Sequence, residues 1–437
     1  MELYAVRLNS EPYRMAKTLS NLEIPTETAV LVYINKDEAE DQVVEDELIG
    51  LCEAADVVPV ASIRQRLDRP YKGTFVGSGK VDEIAALAKE TKADVVLIDG
   101  EVSGMQQRNL EEKFACKVVD RTQLILDIFA RRARTREGML QVELAQLTYM
   151  MPKLMSVYTK FERQKGGIGM RGPGETKLES DKRLARDKIS VLKEEIEDVK
   201  RVRDQQRSSR RKHPFPFASI VGYTSAGKST LMNRMAGTDV LVDAMPFATL
   251  DPTTRKIDLP DGYALFLTDT VGFIRNLPTH LVAAFQSTLE EVTYSDFVLH
   301  VVDLSNPAWE VQRDAVHSTL ATLGAEDKPM LTLFNKIDLV ADKVELRRLV
   351  ADWPNSVAIS AATGEGMNDL QAAIKRMVQE LLGMVVVLIP YDHQSMLQEC
   401  YDYGRVLKQE YREDGIYVEA ELVAEMRHKL RAFAVEP

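Results

Sequence analysis

The chain has 437 residues, long enough for two or three domains with sizeable cores. Hydrophobic residues make up 45% and charged residues 28%, the composition of a soluble globular protein, and no apolar run reaches the roughly 18 residues of a transmembrane helix. The opening Met1-Glu2-Leu3-Tyr4-Ala5-Val6-Arg7 lacks the basic-then-apolar order of a signal peptide. Cys52, Cys116 and Cys400 are odd in number and far apart, so they read as reduced packing residues of a cytosolic protein, without metal-like spacing. The six histidines form no ligand constellation, and His300 reads as a core residue of an apolar run. Net charge is −11 but uneven: Lys160 to Lys212 holds 17 Lys and Arg against 10 Asp and Glu, a local balance of +7. That segment is a candidate footprint for nucleic acid; a solvated helix with mixed ion pairs would show the same balance.

In chain order, residues 28–35 form an apolar strand candidate and 45–55 show helical spacing. A strand at 57–63, a helix at 81–92, a buried strand at 93–99, a helix at 105–114 and a strand at 116–120 follow. This alternation predicts a small parallel α/β domain over 1–125. The loop Gly73-Thr74-Phe75-Val76-Gly77-Ser78-Gly79-Lys80 opens a helix and could hold an anion or a second nucleotide, but it lacks the full phosphate-loop spacing and reads better as a plain glycine turn.

Leu140, Leu144, Leu147, Met151 and Leu154 step by fours and threes, and so do Leu178, Lys182, Ala185, Ile189, Leu192, Ile196 and Val199. Two such seams flanking a break predict an antiparallel helical hairpin within 126–212, with Pro152 kinking or ending the first helix early. The tip from Gln164 to Glu175 carries Gly166, Gly167, Gly169, Gly172 and Gly174 with Lys165 and Arg171. Helices of roughly 25 residues would hold it ~35–40 Å from their base. A flexible basic tip of this kind suits close backbone approach to a phosphate-rich surface such as folded RNA. The basic run Arg207 to Lys212 reads as a linker.

From 213 to 382 the motifs become specific. Gly222-Tyr223-Thr224-Ser225-Ala226-Gly227-Lys228-Ser229 is G-x-x-x-x-G-K-[ST], between the strand-like Ala218 to Val221 and a helix opening at Ser229. That context lets backbone N–H groups and a helix N-terminus converge on phosphate, with Lys228 adding charge and the Ser229 hydroxyl placed for Mg²⁺. Asn335-Lys336-Ile337-Asp338 follows another apolar strand. Asp338 can accept from the guanine ring N–H and exocyclic amine, which adenine cannot satisfy. Asn335 could reach the other base edge, Lys336 could lie over its face, and Ser360-Ala361-Ala362 suits a backbone contact to the guanine oxygen. Asp269-Thr270-Val271-Gly272 offers a carboxylate for a Mg²⁺-bound water and a Gly272 N–H for the γ-phosphate. Phe247-Ala248-Thr249-Leu250-Asp251 falls where a first switch belongs, with Thr249 the expected second Mg²⁺ ligand and Thr253 or Thr254 the alternatives. Lys228, Thr249 and Gly272 are the candidate catalytic groups. Each motif alone has a bland reading as a turn or exposed loop. In this order, each after an apolar strand, they imply a domain that binds and hydrolyses GTP.

Phe273 stands where many small GTPases carry a water-orienting glutamine, so unaided hydrolysis is expected to be slow; the residue also reads as an apolar switch residue packed on the domain. After 382 the chain predicts a small α+β unit, 383–437: a strand at 384–389, a helix at 394–403 and a strand at 415–420. The fold class expected is therefore α/β, with an N-terminal parallel domain, a helical hairpin, a P-loop GTPase domain and this α+β appendage.

Arg171-Gly172-Pro173-Gly174-Glu175-Thr176-Lys177-Leu178-Glu179 and the Gly222-Tyr223-Thr224 start of the phosphate loop resemble HflX-type GTPases. Thr135-Arg136-Glu137-Gly138 leading into Gln141 to Leu147 is similar too, so the resemblance spans essentially the whole chain. It implies a cytoplasmic translational GTPase that associates with the large (50S) ribosomal subunit and its RNA, splitting or rescuing stalled ribosomes under stress or acting in ribosome biogenesis. Lys165, Gly166, Gly167, Gly169, Arg171, Gly172 and Gly174 would then approach ribosomal RNA. The resemblance also implies ATP binding at the N-terminal domain. A monomer is expected, with peripheral membrane association left open. Two residues depart from the family pattern: Ser225 replaces the usual Asn, leaving stimulation by a monovalent cation open, and Lys165 replaces a third consecutive glycine. Two rival readings remain, an ATP-dependent RNA-remodelling enzyme regulated by its GTPase domain and a nucleotide-gated protein adaptor.

Overall fold

The computed structural model describes residues 26–35, 41–163, 173–210, 215–237, 245–275, 286–402 and 404–435. Two compact units divide the chain: residues up to Ile196 together with Met245–Phe247 in one, and Glu197–Ala244, Ala248–Asn276 and Gln286–Pro437 in the other. Among the described residues no helix is long and apolar enough to cross a membrane.

The first unit is built on strands β1 (Thr28–Asn35), β2 (Val58–Arg66), β3 (Val95–Asp99) and β4 (Lys117–Asp120), parallel in the order β2-β1-β3-β4. The inner strands β1 and β3 are contiguous apolar runs, as strands covered on both faces must be. Helices α1 (Asp41–Ala54), α2 (Ser78–Thr91), α3 (Gly104–Phe114) and α4 (Arg121–Arg132) complete the alternation. Ser103 and Gln106 form a reciprocal capping box at the start of α3, and the Asp120 carboxylate caps α4 by accepting from the Gln123 N–H at 2.9 Å. Because α4 crosses residue 125, the sheet domain extends past the boundary its strands suggest.

Two long helices follow, α5 (Arg136–Arg163) and α6 (Pro173–Arg210). Arg136 pairs with Glu195 at 3.3 Å and Glu143 with Lys188 at 3.2 Å, seven residues forward on one helix for seven back on the other. They are antiparallel. The predicted seam faces inward: Lys182, Ala185, Ile189, Leu192, Ile196 and Val199 are half-buried or buried, while Leu184 and Val191 are exposed. Pro152 does not end α5, which runs eleven residues beyond it to Arg163. The turns on either side of the proline are held by the same carboxylate. Lys153 Nζ lies 2.6 Å from Asp120 Oδ2, and the Tyr149 hydroxyl donates to that oxygen. Tip residues Lys165, Gly166, Gly167, Gly169, Arg171 and Gly172 lie outside the described residues. Gly174 does not belong to the loop, because α6 starts one residue earlier, with Pro173 at a position where no N–H is needed.

In the second unit, β5 (Phe217–Gly222), β6 (Thr253–Asp258), β7 (Ala264–Asp269), β8 (Phe297–Asp303), β9 (Met330–Asn335) and β10 (Ser356–Ala358) form one sheet in the order β10-β9-β8-β5-β7-β6. Only β6 is antiparallel, against β7. Helices α7 (Lys228–Ala236), α8 (Gln286–Tyr294), α9 (Trp309–Thr322), α10 (Lys343–Asp352) and α11 (Met367–Leu381) accompany it. The core runs through Ile220, Leu231, Leu265, Leu299, Leu333 and Ile374, all fully buried. A three-stranded antiparallel sheet, β11 (Gly383–Ile389), β12 (Gly404–Arg412) and β13 (Gly415–Leu422) in the order β11-β13-β12, ends the chain with α12 (Ser395–Asp402) and α13 (Ala424–Leu430).

Candidate nucleotide-binding site

The C-terminal ends of β9, β8, β5 and β7 lie side by side in the parallel part of the second sheet, where ligands of open α/β sheets bind. β5 runs into the phosphate loop, and α7 begins at Lys228 directly after it. Gly227 has φ +96, and a Cβ there would lie 2.3 Å from Asn335 Nδ2, so both conformation and space demand glycine. Ser225 also has a positive φ, +60, and is exposed.

Lys228 is buried, with Nζ donating to the carbonyls of Gly222 at 3.2 Å and Tyr223 at 2.8 Å. Burial pushes its pKa down to about 8, against the opposing charge of Asp269. A bound polyphosphate would favour the charged form, so an anion here meets a lysine whose water has already been removed.

Ser229, Thr249 and Asp269 converge. Ser229 Oγ lies 2.8 Å from both Thr249 Oγ1 and Asp269 Oδ2, and Thr249 Oγ1 donates to the same carboxylate oxygen at 2.9 Å. Burial raises the Asp269 pKa, while Lys228 and the two hydroxyls pull it down. Its other oxygen, Oδ1, is buried without a partner among the described residues. Two hydroxyl oxygens and an under-satisfied carboxylate are hard donors of the kind Mg²⁺ takes when it keeps several waters. Thr253 and Thr254 are not at this point. They lie in β6, opposite Asp269 and Thr268, and Thr254 Oγ1 is hydrogen-bonded to Thr268 Oγ1 at 2.9 Å.

The rest of the first-switch candidates behave differently. Phe247, expected beside the nucleotide, packs with the first unit: it is 2% exposed, has φ +57, and meets Phe129 edge-on at 4.7 Å. An aromatic ring gains more from that apolar contact than from a phosphate's hydration shell. Leu250 is buried too, while Ala248 and Asp251 are half-buried. In the second switch Thr270 is fully buried, its hydroxyl donating to the Ile220 carbonyl at 2.7 Å, and Val271 is buried. Gly272 sits tightly, since a Cβ there would come within 3.0 Å of Lys228 Nζ and 2.9 Å of Thr224 Cγ2. Phe273 is 1% exposed and bridges to the phosphate loop, its N–H donating to Gly222 O at 3.0 Å and its carbonyl accepting from Thr224 N at 2.8 Å.

The base-reading loop is fastened from several sides. Asn335 is 2% exposed; its Nδ2 donates to Ala226 O at 2.7 Å and its Oδ1 accepts from Ala361 N at 2.9 Å. It thus ties the phosphate loop to the 360–362 loop. Lys336 adopts φ +64 and pairs with Asp303 at 2.6 Å, which fixes its stem. Ile337 is buried, whereas Asp338 is exposed, open to a base. Ser360 is fully buried and accepts from Thr363 N at 3.1 Å. Sequence reasoning missed Arg234, whose Nε and Nη2 donate to the carbonyls of Ala361 at 2.6 Å and Ala362 at 2.5 Å. Its position near the end of the helix opening at Lys228 was the available signal. It also missed that the Tyr223 hydroxyl accepts from Arg275 N at 2.8 Å, a second link between phosphate loop and second switch.

In the glycine loop of the first unit the N–H groups of Phe75, Val76 and Gly77 are engaged locally: Phe75 N and Tyr71 N bond each other's carbonyls, Val76 N donates to Thr74 O, and Gly77 N donates to the Gln65 side chain at 2.9 Å.

Comparison with known proteins agrees with this geometry. Residues 217–336 match the family described as 50S ribosome-binding GTPase, 43–130 the GTP-binding GTPase N-terminal region, 132–210 the GTP-binding GTPase middle region and 345–431 the HflX C-terminal domain. The GTPase HflX of Lacrimispora saccharolytica is 47% identical, over 92% of this chain and 94% of that one. The Escherichia coli GTPase HflX is 43% identical over 89% and 92%. A crystal structure of a GTP-binding protein from Sulfolobus solfataricus in complex with GDP is similar over 81% of this chain and 99% of its own, at 24% identity and a TM-score of 0.45. The chain belongs to the HflX family of GTPases.

Proposed function

We propose that this GTPase binds Mg²⁺ with GTP across the phosphate loop and that its nucleotide state sets its affinity for the large ribosomal subunit. The observation that carries the first part is the convergence of Ser229, Thr249 and Asp269, whose hydroxyls would ligate the metal while Asp269 holds one of its waters. Mg²⁺ would supply charge neutralisation between the β- and γ-phosphates. Lys228 balances charge on the same phosphates as the bond to the leaving oxygen breaks. The Gly272 N–H meets the γ-phosphate, a role supported by how closely its backbone approaches Lys228. Asp338 selects guanine, with Lys336 and the 360–362 loop framing the base. Because Phe273 is buried, the attacking water needs ordering by another group, which favours a partner-stimulated enzyme.

The ribosomal part is supported by the basic 160–212 segment and the glycine-rich tip, together with the family's own description. The location this implies is the cytoplasm, and the approach is through RNA phosphates at the hairpin. Co-sedimentation with separated ribosomal subunits, with GDP or a non-hydrolysable GTP analogue, tests it. Binding to the large subunit that strengthens with the GTP analogue and weakens steeply with salt is expected. Equal binding with both nucleotides, or salt-insensitive binding, would overturn it.

A further inference from the structure

The helix α6 has 38 residues, about 57 Å of continuous helix. From Glu197 onward it belongs to the same compact unit as the nucleotide site. There two of its side chains meet one carboxylate of α8. Lys200 Nζ lies 3.1 Å from Glu290 Oε1, and Arg203 Nη2 lies 3.3 Å from Glu290 Oε2. The Glu290 and Arg203 side chains are only 14% and 16% exposed, so solvent screens this contact far less than it screens the surface pairs higher on the hairpin. Lys200 and Arg203 are one turn apart on one face of α6. Because each takes its own oxygen, the clamp fixes the rotation of α6 against α8 as well as the separation.

α8 is in turn locked to the catalytic sheet. Leu289 and Val292 are buried in the core, and the Ser219 hydroxyl of β5, the strand that enters the phosphate loop, donates to the Glu291 carbonyl at 3.0 Å. We propose that Glu290 is the positioning residue through which the helical hairpin controls the second switch, and so the rate of hydrolysis; its ribosomal consequence rests on the function proposed above. Engagement of the hairpin moves α6, the Lys200–Glu290–Arg203 clamp carries the motion to α8, and the Ser219–Glu291 bond passes it to β5, whose last residue Gly222 holds the second switch through the Phe273 N–H. Coupling of this kind is reciprocal, so nucleotide exchange must be felt in α6.

That reciprocity supplies a test without any ribosome. Hydrogen exchange of the α6 amides at 197–210 is measured in the full chain with GDP and with a non-hydrolysable GTP analogue. The parent is expected to differ several-fold between the two, and Glu290→Gln to lose the difference while keeping its melting temperature. Glu290→Lys combined with Lys200→Glu and Arg203→Glu, which rebuilds the clamp with reversed charge, is expected to restore it. A second arm measures GTP turnover with and without large subunits. There Glu290→Gln is expected to keep the basal rate within about twofold and to lose most of the stimulation. Exchange in α6 that is indifferent to nucleotide, or a nucleotide difference that survives Glu290→Gln, overturns the proposal. If the exchange arm succeeds and the parent is not stimulated by large subunits, the clamp stands and the ribosomal reading fails alone.

Discussion

Both parallel sheets of this chain end a strand on a buried aspartate, and the two are treated in opposite ways. At the end of β4, Asp120 is 1% exposed and fully engaged: it accepts from Gln123 N, Val102 N and Lys153 Nζ, and from the Tyr149 hydroxyl. At the end of β7, Asp269 is 3% exposed; one of its oxygens accepts from the Ser229 and Thr249 hydroxyls, and the other has no hydrogen-bond partner among the described residues. The first carboxylate is closed by its own chain and fastens α5 to the sheet. The second matches the Mg²⁺ role proposed for it. Burial of a carboxylate is therefore no sign of a ligand site by itself.

The comparison predicts opposite phenotypes, and the largest effect belongs to the open site. Asp338→Asn should reverse base selectivity, because an amide suits the extra carbonyl of xanthine. Discrimination at a hydrogen-bonded pocket is worth about 10⁴-fold, so GTP affinity should collapse and xanthosine triphosphate binding appear. A competition titration with unchanged preference would remove Asp338 from the pocket.

Asp269→Asn and Asp120→Asn test the contrast directly. Asp269→Asn should cut GTP turnover by at least about a hundredfold. Because burial already pushes the Asp269 carboxyl toward its neutral form, its Tm should hold or rise. Asp120→Asn strands the Lys153 ammonium in a buried position, a defect of roughly 3–5 kcal/mol, so Tm should drop sharply with turnover per folded molecule intact. Calorimetry and steady-state kinetics on both variants decide it. Were Asp120→Asn to lower kcat as far as Asp269→Asn, the two aspartates would not be divided into fastening and ligand-holding roles.

Much of this was legible beforehand for a simple reason. Parallel strands covered on both faces are unbroken apolar runs, and 93–99 or 330–335 can hardly be read otherwise. The hairpin seam is equally plain, since Leu192 and its neighbours keep one helical stripe. What escaped depends on partners distant in sequence. The tie that Asn335 makes between Ala226 and Ala361, and the packing of Phe247 against Phe129, are announced by no local pattern. The proline at 152 reads as a kink or an end of the helix; it does not end α5, where the anchoring of Tyr149 and Lys153 offsets the roughly 3 kcal/mol it costs. β12 was overlooked because Gly404–Arg412 is an edge strand rich in charge, which is how edges avoid pairing with strangers.

The second sheet carries another buried atom with no hydrogen-bond partner among the described residues, Nδ1 of His300 in the middle of β8; the His300 ring lies 5.2 Å from the His317 ring. Burial first, then the His317 and Arg313 charges, push the His300 pKa down to about 3 from 6.5, and burial lowers that of His317 as well. The sign follows from linkage. The unfolded chain takes up a proton below about 6.5 that the folded chain refuses, so stability is complete above that pH and is lost as pH falls toward 3. The loss should approach 1.4 kcal/mol per pH unit. Thermal melts at pH 7.5 and 5 should show the parent losing stability relative to His300→Phe on acidification, whatever the variant's starting stability. A gap independent of pH would mean that His300 is not the proton-refusing group.

The smallest effect should come from Arg234, and it asks how far the open site is held by its surroundings. Its guanidinium donates to two carbonyls of the loop that frames the base, so Arg234→Ala frees that loop without touching nucleotide. Hydrogen bonds from a charged donor contribute roughly 1.5–3 kcal/mol when buried, and less here because Arg234 is exposed. Dissociation of GDP should therefore quicken by about tenfold, with guanine still preferred over xanthine because Asp338 is intact. Stopped-flow release of a fluorescent GDP measures it. An unchanged off-rate would show that Asn335, through Ala226 and Ala361, holds the loop alone, and the site would then be fastened from one side only.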